Sequence, residues 1–154
     1  MKYVSTRGEA KVASFKEILA SGTASDGGLF VPSSIPKFDE KVIKSMSDLS
    51  YIEIAEIIIR PFIGDFLKKD ELQEILSDSY RNFETDNVVQ IKDYEFGHVL
   101  ELFHGPTLAF KDVAMQLLGR LLNAASEQLG KKIVILGATS GDTGSAAIAA
   151  CQNF

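Results

Sequence analysis

Two short stretches hold residue types that could do chemistry. The first is ELFHGPTLAFKD, residues 101–112, with one lysine, Lys111, just after Phe110. Apolar periodicity predicts a helix over 109–129, so Lys111 falls in its first turn, where the helix dipole disfavours a cation. Phe110, Val113, Ala114, Leu117, Leu118, Leu121 and Leu122 form the apolar stripe. At about 100° per residue the stripe centres near Ala114 and Leu121, with Lys111 on its edge and Asp112 pointing the other way. Partial desolvation and the dipole then both favour the neutral amine, which can attack a carbonyl and form a Schiff base. The competing reading is a lysine that runs past its apolar neighbours into water. Spacing leaves both open.

The second stretch is GATSGDTGS, residues 137–145. It follows a β-branched run and opens another predicted helix. Such a junction presents unpaired backbone N–H groups at a positive helix end, which suits an anion. Gly141 and Gly144 permit close approach of a ligand, and Thr139, Ser140 and Thr143 add hydroxyls. The plain alternative is that Asp142 or Thr143 caps the helix. The stretch is neither a P-loop nor a dinucleotide fingerprint, and its serine is one position away from a nucleophile elbow. His98 and His104 lie six apart with no partner that completes a zinc set, so no metal is expected. His104 reads as a turn residue or a neighbour of the site, and Cys151 as a small core residue.

The elements that must position these residues change character along the chain. Helices are expected at 14–20 with Ser14 as N-cap, at 39–46, at 51–63 and at 70–83. Pro61 should kink or end the third of these. The fourth carries a stripe of Leu72, Ile75, Leu76, Ser79 and Phe83. Residues 29–31 read as a short strand inside a Gly-, Ser- and Pro-rich loop. From residue 96 the pattern becomes β-α-β-α. A strand at 98–103 precedes the long helix, and KKIVILGA at 131–138 reads as a strand buried on both faces. The fold class is therefore α/β, with a mostly helical segment over 1–95 and the start of a parallel sheet over 96–154. Two strands make a poor parallel sheet, so the chain is expected to be the N-terminal piece of a longer protein; the alternative is a small α/β domain that oligomerises to complete its sheet.

Composition narrows the partners. The net charge is −5 with no basic cluster, which gives no pull toward nucleic acid or anionic membrane. No apolar run has the length of a membrane span, and no secretory leader is evident. A single cysteine excludes an internal disulfide and fits a reducing compartment, so the expected location is cytoplasmic.

With these stretches in view, the chain resembles threonine synthase of the bacterial and fungal branch. ELFHGPTLAFKD is similar to that family's lysine segment and LGATSGDTGSAA (136–147) to the loop that follows. GGLFVPSSIP (27–36) and YRNF (80–83) are similar to its small N-terminal domain. The resemblance covers nearly the whole chain. It implies a fold-type II enzyme that uses pyridoxal 5'-phosphate (PLP), related to tryptophan synthase β. Lys111 matches the lysine that holds the cofactor as a Schiff base, and Phe110 and Asp142 match cofactor neighbours. Thr139, Ser140, Gly141, Asp142 and Thr143 match the loop that receives the substrate carboxylate. The implied reaction takes O-phosphohomoserine and water to threonine and phosphate. Many fold-type II relatives carry asparagine where Asp142 stands, and a carboxylate beside an ionised ring oxygen needs a proton or cation between them. The family's phosphate loop and its polar partner for the pyridine nitrogen have no match in these 154 residues. The chain alone is therefore expected to be inactive, and its half-built sheet to self-associate. Alternatives are another fold-type II lyase, such as a threonine dehydratase, or a non-catalytic threonine-synthase-like module that binds a ligand.

Overall fold

The computed structural model describes residues 1–152. These form two compact units, Met1–Gln73 and Glu74–Phe154. In the first, β1 (Tyr3–Ser5) precedes α1 (Phe15–Ser21), and β2 (Phe30–Pro32) pairs back antiparallel on β1 with Tyr3 opposite Pro32. The helices α2 (Glu40–Ser45) and α3 (Tyr51–Ile63) follow. Ser14 caps α1 as the sequence predicts, and two further caps appear. Ser14 and Ser50 each form a reciprocal cap with the glutamate three residues on. The Ser50 N–H donates to Glu53 Oε2 at 2.8 Å, and the Glu53 N–H donates to Ser50 Oγ at 3.3 Å. Asp39 caps α2 through the Val42 N–H.

Pro61 does not end α3 early. The helix runs through it to Ile63 and stops at Gly64, where φ is 60°. Proline removes one donor, but the last carbonyls of α3 are served from elsewhere in the unit. The Tyr3 hydroxyl donates to the Phe62 carbonyl at 2.9 Å. Its burial, which raises the phenol's pKa, keeps it a donor. The Tyr3, Phe15 and Phe66 rings form a tilted aromatic series beside this contact.

The division between units falls within α4 (Lys69–Tyr80), whose Leu72, Leu76 and Ser79 are fully enclosed. Phe83 of the expected stripe is also buried, but lies beyond the helix end. The second unit continues with β3 (Gln90–Tyr94), β4 (Gly97–Glu101), α5 (Lys111–Leu129) and α6 (Asp142–Cys151). β3 and β4 are an antiparallel hairpin, with Tyr94 opposite Gly97 and Gln90 opposite Glu101. The sequence reading found only the second strand. QIKDY is too charged to announce itself, and it becomes a strand because β4 supplies a partner across a tight turn.

The architecture is thus mixed α and β, with six helices and two small antiparallel sheets among the described residues. The expected parallel β-α-β-α order differs from this in two places: β4 pairs antiparallel with β3, and the expected second strand is not formed. Residues 131–138 form no strand or bridge, and Val134 and Leu136 are 80% and 97% exposed. A run built for burial on both faces needs neighbouring strands for its backbone groups, and none lies beside it here.

α5 is enclosed on two sides. Asp112, Gln116 and Gly119 lie within about 60° of each other around the helix, and Leu121 and Ala125 lie opposite. The stripe expected to centre on Ala114 and Leu121 accounts for only the second side, and Ala114 itself is exposed. On the first side α6 packs closely. A methyl group at Gly119 would stand 2.9 Å from the Ala150 carbonyl oxygen, so glycine is what lets the backbones meet.

Candidate active site

Lys111 is the first residue of α5. It is half-buried, and its Nζ lies 4.4 Å from the centre of the Phe110 ring, a cation–π distance. Among the described residues no carboxylate lies within 4.0 Å of it to form an ion pair. Phe110 itself is 55% exposed, so its ring covers the amine on one side and leaves a face to solvent.

The turn before Lys111 is held by Asp112. It points away from the Leu121 side of α5, as expected, but it is enclosed there rather than solvated, at 0% exposed. Its Oδ2 accepts from both the Thr107 N–H and the Thr107 hydroxyl at 2.8 Å, while Oδ1 has no hydrogen-bond partner. Gly105 packs on the same carboxyl so closely that a methyl group there would overlap it. Leu108, between them, takes a left-handed backbone with φ 59°, uncommon for a branched side chain. Helical periodicity missed this because a helix face is a guide to burial only when one side of the helix is covered. The usable signal was an acidic residue in the first turn, five after a Gly-Pro-Thr turn.

His104 closes the same turn from the other end. It is buried, and its Nε2–H donates to Glu101 Oε2 at 3.0 Å. Nδ1 stands 3.7 Å from Glu84, whose N–H donates to the His104 carbonyl. His98 instead lies on the exposed hairpin, 2.6 Å from Asp93. Among the described residues there is no group of three or more His, Cys, Asp or Glu placed to hold a metal ion.

The second stretch lies at the start of α6. Gly141 is the N-cap and makes no side-chain bond; Thr139 does the capping instead. Its Oγ1 accepts from the Gly141 and Gly144 N–H groups, each at 3.1 Å. Neither Asp142 nor Thr143 therefore caps the helix; the residue that does is Thr139, three before Asp142. Asp142 and Thr143 occupy the first turn, where backbone N–H groups lack intrahelical partners. Thr139, Ser140, Gly141 and Asp142 are exposed and Thr143 is half-buried. Lys111 and this loop therefore stand at the N-terminal ends of two helices that pack together through Gly119 and Ala150.

The family model described as "Threonine synthase N terminus" matches residues 2–80. A threonine synthase from Pseudomonas aeruginosa is 48% identical over 99% of the chain, and one from Schizosaccharomyces pombe is 42% identical over 96%. The chain spans 33% and 31% of those two proteins. The crystal structure of a PLP-bound threonine synthase from Brucella melitensis superimposes with a TM-score of 0.94 at 46% identity. That match covers 98% of this chain and 33% of the other. The chain belongs to the threonine synthase family and corresponds to its N-terminal third.

Proposed function

We propose that this chain is the N-terminal part of an enzyme that converts O-phosphohomoserine and water to threonine and phosphate, with PLP held covalently by Lys111. One observation carries the assignment of Lys111: a half-buried primary amine, without an ion-pair partner among the described residues, begins a helix in a chain of this family. Such an amine suits an aldehyde, and a salt-bridged surface lysine does not. PLP, when bound, supplies an electron sink for charge that develops at the substrate Cα. Lys111 is the base that moves protons at the substrate Cα and Cβ. Phe110 limits water on one side of the amine. Thr139 shapes the loop, and Ser140, Gly141, Asp142 and Thr143 offer hydroxyls and first-turn N–H groups to the substrate carboxylate. Asp142 would be the residue beside the cofactor's ring oxygen, where a carboxylate would need a proton or cation to offset the repulsion.

The two helix starts reach one end of the unit if α5 and α6 run near parallel. Gly119 lies eight residues after Lys111, and Ala150 eight after Asp142, about 12 Å of helix axis in each case. From that crossing the burial continues toward the N-terminus on both helices, through Gln116 and Asp112 on one and Ala146 on the other. An antiparallel pair would bury Asn123 and Ser126 instead, and these are only half-buried. The same reading makes 131–138 a strand of a parallel sheet, paired once neighbouring strands are present. It divides the chain functionally into a small N-terminal domain over 1–95 and the start of the PLP-binding domain over 96–154. The compartment is the cytoplasm. A threonine-dehydratase activity has less support, since the relatives above are named as threonine synthases.

The test is an absorbance scan with added PLP, then borohydride reduction and peptide mass mapping. It is run on the chain extended to its relatives' length. The expected label is on Lys111, and Lys111→Ala abolishes the visible band. A label confined to other lysines overturns the assignment. The 154-residue chain alone is expected to release no phosphate from O-phosphohomoserine, because no residue in it matches the family's phosphate loop.

A further inference from the structure

The carboxyl of Asp112 takes no part in the chemistry proposed above, yet it is the most enclosed polar group near Lys111. We propose that Asp112 is a positioning residue for Lys111. By accepting two bonds from Thr107, it ties residues 105–108 across the first turn of α5 and sets where the Lys111 amine points. This rests on the reading of Lys111 as the Schiff-base lysine.

Four observations converge. Both Thr107 donors reach the same oxygen, Asp112 Oδ2, at 2.8 Å, so the turn is gripped by main chain and side chain together. Gly105 leaves no room for a side chain against Asp112, so the carboxyl cannot retreat without moving the turn. Leu108 keeps a left-handed backbone two residues before Phe110, a conformation that persists only where its surroundings impose it. The chain from Thr107 to Asp112 is a closed ring of six residues, and Lys111 sits inside it. A side chain attached to such a ring has its Cα and its exit direction determined by the closing contact. Asp112 also lies at a positive helix end, where a carboxylate is favoured. With Oδ1 unpartnered in a buried site, the two Thr107 bonds are the ones that hold it.

Thr107 allows a clean test, since valine keeps the shape and N–H but loses the hydroxyl, and serine restores it. The probe is pyridoxal, which carries the aldehyde but needs no phosphate loop. Labels are trapped with borohydride and mapped, and labelling at Lys111 is read as a ratio to exposed lysines such as Lys68 and Lys92 in the same molecules. The wild-type chain should label preferentially at Lys111. Thr107→Val and Asp112→Ala should each lower the ratio about 10- to 100-fold, as misplacement of a reacting group does. Thr107→Ser should restore it. A purely structural contact would lower the melting temperature and leave the ratio in the folded molecules unchanged. That result overturns the proposal while the reading of Lys111 stands. If the wild-type chain shows no preference for Lys111, both fall. Should Thr107→Val not fold, amide hydrogen exchange of the wild-type chain decides. Protection of the Thr107 N–H supports the ring, and free exchange there overturns it.

Discussion

Lys111 and Asp112 are adjacent, both charged and both in a first helical turn, yet they have opposite surroundings. The amine reaches a ring face and partly solvent; the carboxyl is sealed against Gly105 and Thr107. The cation–π contact is worth about 0.5–1 kcal/mol at an exposed site such as this, enough to bias a rotamer but not to trap it. An amine that must exchange partners is served by such a weak hold. In the N-terminal unit, Asp26 shows what a strong hold looks like. Its carboxylate accepts from the Ser5 hydroxyl at 2.7 Å and from the N–H groups of Gly28, Ala10 and Glu9. The Ser5 bond leads these contacts in lowering its pKa below the ordinary carboxylate value, against a smaller opposing effect of burial. Bonds from Ser14 to Glu17 and from Ser50 to Glu53 lower those two as well. Groups with a depressed folded value stabilise fully above their unfolded value and lose that contribution as pH falls through the folded one. Melting temperature should therefore fall on acidification below about pH 4. Asp26→Asn should lower it at neutral pH, because one amide oxygen cannot accept all four bonds, and should flatten the acid limb. An unchanged acid limb would show that Asp26 is not responsible.

Among the elements, the caps and the helix crossing make the firmest predictions. Ser50→Ala removes the acceptor for the Glu53 N–H and should cost about 1 kcal/mol in urea unfolding, with Glu53 left as the only half of the box. At Gly119 two effects oppose. Glycine to alanine inside a helix normally stabilises by about 1 kcal/mol through propensity. Here the new methyl would stand 2.9 Å from the Ala150 carbonyl oxygen and 3.1 Å from its Cβ. Overpacking costs about 1–3 kcal/mol, so Gly119→Ala is expected to be net destabilising. A stabilised variant would mean that α6 yields easily and that the close crossing does not hold the two helix starts. The antiparallel hairpin makes the complementary point. Its β3 strand exists through pairing rather than through its own pattern, which is why only its partner was legible.

At the scale of the whole molecule, the notable surface is the run over 133–136, with Val134, Ile135 and Leu136 all exposed. None of the described helices is long and apolar enough to cross a membrane. Contiguous exposed apolar surface with unpaired backbone groups favours association. We expect the 154-residue chain to sediment as oligomers whose size grows with concentration. Val134→Lys with Leu136→Lys should shift it toward monomer. Monomeric behaviour of the unmodified chain at high concentration would count against this.

The amino-acid sequence determined by itself the helices with local signals: Ser14 as a cap and the apolar run of α3. It also marked Lys111 and the 139–143 loop, because a lysine or a Gly-Thr-Ser cluster at a helix start is visible as type and position. Contacts between residues five or more apart were decided only by tertiary structure. They include the burial of Asp112, the close crossing at Gly119, and the pairing of β4 with β3 rather than with 131–138. The reason is physical. A cap or an amphipathic stripe is satisfied within one or two turns of chain, so its pattern is local. A buried carboxyl, a glycine crossing or a strand depends on which partner the rest of the chain brings to it.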